Sequence, residues 1–310
     1  MLGKNRSAAG MRIGSAPRIL LIGSSNTDLV IVCERLPAPG ETLLGGTFQR
    51  SAGGKGANQA VAAARAGARV VFLGARGEDD FGTAAAAGLR RENIDIRHFK
   101  AHKDISSGIA LILLGGKSRE NLIAVARSAN DLLSPETVRA IRPEFSKSDV
   151  IVAQLEIPLT AVKEAARLAS EERKPFLLNP APARALPKSL LRLVHTLTPN
   201  EHEATILTGE QSPERAGEKL LKAGCRNVVI TLGAKGAMLV DGSGIHRFPA
   251  PKVKPVDTVG AGDCFTGWLA TGIAEGLTME QAVERAVRAA GISITRPGAQ
   301  DAMPRREEVC

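Results

Sequence analysis

From Asp149 onward the chain alternates short apolar runs with amphipathic stretches, a pattern that few folds accept. Asp149-Val-Ile-Val-Ala153 reads as a strand and Leu159–Ser170 as a helix. Phe176-Leu-Leu-Asn179 reads as a strand, followed by a short helix near Pro187–Leu193. Thr196-Leu-Thr-Pro-Asn200 is a strand end with a helix after it, Glu214–Ala223 a helix and Asn227–Leu232 a strand. Gly236–Val240 and Gly244–Phe248 predict a hairpin, and two helices, 262–276 and 278–294, close the chain. Strands that are apolar at every position are buried on both faces, and helices between them supply the crossovers of a parallel sheet. The expectation is an α/β fold with a mostly parallel central sheet and helices on both faces. A chain of 310 residues is long enough to bury such a core.

The first half carries the same theme with an insertion. Arg18-Ile-Leu-Leu-Ile-Gly23 predicts the first strand, ending in the loop Ser24-Ser25-Asn26-Thr27-Asp28. Ligands in open parallel sheets sit at the carboxyl ends of strands, which places Asn26 and Asp28 where a polar ligand could be held. Turn chemistry explains the same residues equally well. Leu29–Val32 and Thr42–Phe48 read as short strands flanking Pro37-Ala-Pro39-Gly40. Gly53-Gly-Lys-Gly-Ala-Asn-Gln59 opens a long alanine-rich helix ending near Gly67, Val70–Gly74 is a strand and Asp80–Arg91 a helix. Gly108–Leu114 and Asn121–Ala126 predict a hairpin across the polar 115–120 stretch. Residues 29–48 and 106–126 are more strand than a crossover needs, so they predict a small β lid on a domain running from 18 to 310.

Composition removes several functions. Aromatic residues make up 3% of the chain, with no Tyr and one Trp, too few for the stacking platforms that bind single-stranded nucleic acid. The net charge of +9 is spread along the chain rather than clustered, so no nucleic-acid partner is expected. No apolar run reaches the length of a membrane span, and no membrane partner is expected. The four cysteines, Cys33, Cys225, Cys264 and Cys310, lie far apart without C-x-x-C spacing, which argues for a reduced, cytoplasmic protein. Residues 1–17 are basic, acid-free and rich in Gly, Ser and Ala, and are expected to form a disordered extension. Gly115-Gly-Lys-Ser118 imitates a P-loop, but Leu111 stands at its first glycine position, and no G-x-G-x-x-G follows the first strand.

A second glycine-rich helix start, Val256-Asp-Thr-Val-Gly-Ala-Gly-Asp263, is the strongest chemical signal. Small residues let an anion approach the backbone, and the free N–H groups of a helix N-terminus attract it. Asp263 places a carboxylate where the anion would sit. It is either an acid that complements the helix dipole or a general base beside a phosphate cradle. Glu156, Asn179, Asn200, Glu203 and Thr231 fall at other strand ends. Carboxylates beside an anion cradle suggest Mg²⁺, which is bound through one or two carboxylates plus substrate phosphates.

The chain resembles the ribokinase-like (PfkB) carbohydrate kinase family. The resemblance rests on Gly23-Ser-Ser-Asn-Thr-Asp28, Gly53-Gly-Lys-Gly-Ala-Asn-Gln-Ala-Val-Ala62, Gln154-Leu-Glu156, Asn179-Pro-Ala-Pro-Ala183, Thr198-Pro-Asn-Glu-His-Glu203, Thr231-Leu-Gly-Ala-Lys-Gly236, Asp257-Thr-Val-Gly-Ala-Gly-Asp263 and Arg296-Pro-Gly-Ala-Gln300, in family order. It implies ATP-dependent phosphorylation of D-ribose at O5, with Asp263 as general base and the Gly260, Ala261 and Gly262 backbone as anion hole. It implies that Asn26, Thr27, Asp28, Gly54, Lys55, Gly56, Ala57, Asn58, Glu156 and Asp263 hold the sugar. ATP would lie along Asn200, Thr231, Leu232, Gly233, Ala234, Lys235, Gly236, Gly262 and Asp263, with Val287 near the adenine. Mg²⁺ would be placed by Glu203 through water, and an activating K⁺ by Asp257, Val259, Ser293, Arg296, Gly298 and Ala302, mostly through carbonyls. A homodimer formed through the lid is also implied. The alternatives are a kinase for deoxyribose, another furanose or a nucleoside, and a non-catalytic sugar- or nucleotide-binding protein.

Overall fold

The computed structural model describes residues 16–116 and 120–310, so the expected extension at 1–17 lies almost wholly outside the described residues. Among these, the chain begins with β1 (Arg18–Ile22), β2 (Asn26–Cys33), β3 (Thr47–Gly53), α1 (Lys55–Arg65), β4 (Arg69–Gly77), α2 (Asp80–Arg91) and β5 (Asp95–His102). Next come β6 (Gly108–Gly115), β7 (Glu120–Ala126), a 3₁₀ turn, α3 (Pro135–Ala140), α4 (Arg142–Lys147), β8 (Val150–Ala153), α5 (Leu159–Glu171) and β9 (Phe176–Leu178). After these follow α6 (Lys188–Leu191), β10 (Thr196–Leu197), α7 (Glu201–Thr208), α8 (Pro213–Ala223), β11 (Asn227–Thr231), β12 (Ala237–Asp241) and β13 (Gly244–Phe248). Finally α9 (Ala261–Ala274), α10 (Met279–Ser293) and α11 (Arg306–Val309) complete it.

Nine strands form one sheet in the order β13-β12-β11-β10-β9-β8-β1-β4-β5. All neighbours are parallel except β11–β12 and β12–β13, so the sheet is mostly parallel, as expected. Alternate residues of each strand feed two cores. Leu20, Ile22, Ile151 and Ile230 pack on one face with α5 and α8 residues such as Val162 and Leu220. Ile19, Leu21, Val152 and Val229 pack on the other with α1, α9 and α10 residues such as Val61, Trp268 and Val283. The strand order departs from β1 in both directions, through β4 on one side and β8 on the other. Such a switch opens a crevice at the carboxyl ends of the strands.

Four further strands form a small separate sheet, ordered β3-β2-β6-β7. Its second strand in sequence lies at 47–53 rather than at 42–48. Gly45 and Gly46, at φ +99° and +103°, break the extended run, and the chain enters the sheet only where Thr47 pairs with Val32. The same pairing runs back to Asn26 opposite Gly53, so Asn26, Thr27 and Asp28 are strand residues and not turn residues. Two other differences are informative. Asp95–His102 is an edge strand that its polar side chains conceal in the sequence. The helix at 279–293 does not close the chain, because α11 follows it, docked by Arg306 on Glu275 and by Arg296 on Glu308.

α9 is buried along nearly its whole length, Asp263 to Gly272. It is gripped between α1 and α10, and the grip depends on glycine. A Cβ on Gly267 would stand 2.5 Å from the Ala62 Cβ and 2.7 Å from the Gln59 carbonyl. A Cβ on Gly272 would stand 2.8 Å from that of Ala282. Backbones that approach this closely bring the start of α1 against the start of α9.

Candidate active site

The two glycine-rich helix starts meet in the crevice. Gly54, the N-cap of α1, has φ +87°, and a Cβ there would stand 2.6 Å from the Asn26 N and 2.8 Å from the Ser25 Cα. Gly260, the N-cap of α9, has φ +75°. Both positions require glycine on conformational grounds. Among the described residues, the backbone N–H groups of Gly262 and Asp263 find no backbone acceptor, while Ala261 N–H makes only a long bond to the Thr258 carbonyl at 3.3 Å. Helix N-termini leave such donors for an anion.

The carboxylate of Asp263 does not cap its own helix. It is 7% exposed and turned toward α1, where Oδ2 accepts from Asn58 Nδ2 and Oδ1 from Gln59 Nε2, each at 2.9 Å. The reading of Asp263 as a plain dipole acid therefore fails on geometry. Asn58 is itself fixed, since its Oδ1 accepts from Gln300 Nε2 at 3.0 Å. A cavity of about 180 Å³ opens in front of the carboxylate, lined by Lys55, Asn200, Glu203, Thr231, Gly260 and Gly262 among others.

Four carboxylates surround Lys55. Asp263, then Glu156, Glu203 and Asp28 raise the Lys55 ammonium above the usual lysine range, against the opposing effect of burial. Asp28 is pushed up to about 6 by burial first and by the charges of Glu156 and Asp263 next, with Lys55 opposing. Glu203 is also raised by burial, although the Asn200 N–H bond works against it. Glu156 is pinned where β8 ends: its Oε2 accepts from Ser24 Oγ at 2.6 Å and from Lys55 N at 3.0 Å. Burial of several acids around one lysine costs free energy that a protein recovers where a ligand completes the set.

The structure gathers Asp28, Lys55, Asn58, Glu156, Glu203 and Asp263 around one crevice. Asn26 is different, because its Oδ1 is occupied by Asn130 Nδ2 at 2.8 Å and it is buried. Thr27, Gly56 and Ala57 are buried, and a Cβ on Gly56 would stand 2.5 Å from the Ser24 N. Asn200 caps α7 with its side chain and bridges in parallel to Thr231, which fixes the start of the 231–236 loop. In that loop Leu232 and Gly236 are buried, whereas Gly233, Ala234 and Lys235 are exposed. Val287 packs in the α10 core and does not line the cavity.

Asp257 and Val259 lie against the turn after α10. Asp257 Oδ2 accepts from Gly298 N and Oδ1 from Val259 N, each at 3.0 Å, and Val256 N donates to the Ile294 carbonyl at 2.7 Å. Ser293 and Ala302 are buried, and the Arg296 side chain turns to Glu308. Among the described residues no cluster of three or more His, Cys, Asp or Glu side chains could cage a metal ion. Three site residues escape the sequence reading: Gln59, Asn130 and Gln300. Gln59 left a signal, as a fully buried amide beside Asn58 in an otherwise alanine-rich helix.

The chain is 40% identical to the ribokinase of Haemophilus influenzae over 94% of this chain and 96% of that one. It is 40% identical to the ribokinase of Bacillus subtilis over 94% and 97%. Its fold superposes on the structure of Arabidopsis thaliana ribokinase complexed with ribose and ATP with a TM-score of 0.89, at 31% identity, covering 95% of this chain and 98% of the other. Residues 16–306 match the family described as pfkB family carbohydrate kinase. With a doubly covered parallel sheet, a small accessory sheet and a carboxylate at a glycine-rich helix start, the chain belongs to the pfkB family of carbohydrate kinases.

Proposed function

We propose that this protein transfers the γ-phosphoryl group of ATP to the O5 hydroxyl of D-ribose. The observation that carries the reading is the Asp263 carboxylate, held by Asn58 and Gln59 beside the unpaired N–H groups that open α9. Asp263 takes the O5 proton as the O5–P bond forms and the P–O bond to ADP breaks. The Gly260–Gly262 backbone faces the charge that develops on the phosphoryl oxygens. Phosphoryl transfer depends mainly on positioning and electrostatics, so this small set of groups is enough.

Asp28, Lys55, Asn58 and Glu156 form the sugar pocket, with Asn26, Thr27, Gly54, Gly56 and Ala57 shaping its walls. Paired amides and carboxylates suit hydroxyls that both donate and accept. Asn200 and the 231–236 loop receive ATP.

Glu203 suits Mg²⁺ held through water: it is a carboxylate on the wall of the cavity that would receive the nucleotide phosphates. The metal would neutralise phosphate charge. The 257–259 and 293–302 segments, tied together through Asp257, suit a monovalent cation bound by carbonyls. Ala302 can offer only its backbone there. The small sheet acts as a lid that excludes water from the reaction and pairs with a second copy of the chain. We assign the protein to the cytoplasm.

The test is coupled ADP release with Mg-ATP across a panel of ribose, deoxyribose, other furanoses and nucleosides, with and without K⁺. Ribose as the preferred acceptor, with a rate raised by K⁺, is the expected result. Preference for another acceptor would overturn the ribose assignment, and no turnover with any would overturn the kinase reading.

A further inference from the structure

We infer that Gln59 and Gln154 form a buried amide relay that fixes the position of the Asp263 carboxylate. The inference rests on the reading of Asp263 as the base. Gln59 and Gln154 are each 0% exposed, so neither touches a ligand. Gln154 stands where β8 ends and donates Nε2 to Gln59 Oε1 at 2.7 Å. Gln59 Nε2 then donates to Asp263 Oδ1 at 2.9 Å and to Asn179 Oδ1 at 3.1 Å.

The order of donors matters. A primary amide has one accepting end and one donating end. Gln154 supplies a donor to Gln59 Oε1 while Asp263 and Asn179 accept from Gln59 Nε2, so both ends of the amide are held. Asp263 and Asn179 Oδ1 only accept, so they demand the Nε2 end of Gln59; without the Gln154 donor, Gln59 Oε1 becomes a buried acceptor with no partner and the amide loses the bond that seats it. The sheet thus sets the amide, and the amide sets the base. The amide of Gln154 is seated against Gly23, where any Cβ would collide with its Oε1, and that oxygen has no hydrogen-bond partner among the described residues. An unsatisfied buried polar atom is a cost, and such costs are tolerated where a group must be held in one place.

Gln59 and Gln154 are therefore positioning residues. Displacing a base slightly costs turnover more than substrate affinity. The test is a double-mutant cycle on Gln59→Met and Gln154→Met, which conserve volume, with steady-state kinetics on ribose and Mg-ATP and an unfolding midpoint for each. Gln59→Met should lower kcat roughly 10-fold and leave the ribose KM within about 3-fold. Gln154→Met should lower kcat a few-fold, and adding it to Gln59→Met should cause no further loss, because the relay is already broken. Two independent, additive losses, a loss confined to KM, or unchanged kcat in Gln59→Met would overturn the relay. If Gln154→Met does not fold, the kcat-against-KM split of Gln59→Met decides alone. The same series includes Asp263→Asn. An inactive Asp263→Asn beside a fully active Gln59→Met refutes the relay and leaves the base assignment standing, whereas an active Asp263→Asn refutes the base itself.

Discussion

Asn58 Nδ2 lies 2.9 Å from Asp263 Oδ2, a bond that joins residues 205 positions apart in the chain. It links the two glycine-rich helix starts directly. Asn58 also accepts from Gln300, so the bond ties the base to the segment after α10. Asn58→Ala removes a charge-assisted donor worth about 1.5–3 kcal/mol and frees Gln300. Expected is a fall in kcat/KM for ribose of at least about 10-fold, with the fold retained. Steady-state kinetics and a thermal unfolding curve check it, and unchanged kcat/KM would contradict the role given to Asn58.

Two glycines in the site should respond in opposite ways. A Cβ on Gly56 would stand 2.5 Å from the Ser24 N and 2.6 Å from the Gly23 carbonyl carbon, both rigid backbone atoms. Gly56→Ala should therefore destabilise the protein by about 2 kcal/mol or more. A Cβ on Gly262 would meet nothing within 4 Å, and alanine favours a helix. Gly262→Ala should be at least as stable as the parent by urea unfolding, yet lose turnover because the methyl group enters the anion site. A fully active Gly262→Ala would contradict the anion hole.

Asp28 makes the ligand-free protein sensitive to pH. Burial and the neighbouring Glu156 and Asp263 charges raise its carboxyl to about 6, above the unfolded value of 3.8. A raised folded value means that the group favours folding below pH 3.8 and that this contribution is lost as pH rises through about 6. Above that range the ionised carboxylate costs about 2–3 kcal/mol. Asp28→Asn mimics the neutral form, so it should raise the unfolding free energy at pH 8, with the gain shrinking toward zero near pH 4. Urea titrations of ligand-free protein at the two pH values check this, and an equal change at both would contradict it.

The outer face of the small sheet carries Phe48, 64% exposed, with Ile31, Leu111 and Leu122 also exposed. The register places Phe48 and Leu113 beside Ile31, and Leu122 beside Leu113, so these side chains share one face. The dimer proposed above would cover this apolar face. Phe48→Asp combined with Leu122→Asp should shift the sedimenting species from dimer to monomer. A monomeric parent at micromolar concentration would contradict the dimer.

Much of this was legible in the sequence because buried parallel strands announce themselves. Arg18–Gly23, Asp149–Ala153 and Phe176–Asn179 are apolar runs that the sheet buries on both faces, and they were placed almost to the residue. Asp95–His102 was not legible, because an edge strand with Arg97, His98 and Lys100 loses the apolar signal. The shift of β3 to 47–53 follows from pairing with a distant partner, which local pattern does not encode. The Asp263 loop was legible as chemistry, but the role of Gln59 was not. Its side chain meets Asp263 only because Gly267 lets α1 and α9 touch.

The most direct test of the account is ribose-dependent ADP release by Asp263→Asn under saturating Mg-ATP, with the unfolding midpoint measured alongside. Asparagine keeps the shape of the side chain and removes its ability to take a proton. The expected result is a folded protein whose kcat falls by about 10²–10⁴-fold. Near-normal turnover in that variant would contradict the assignment of Asp263 as the base.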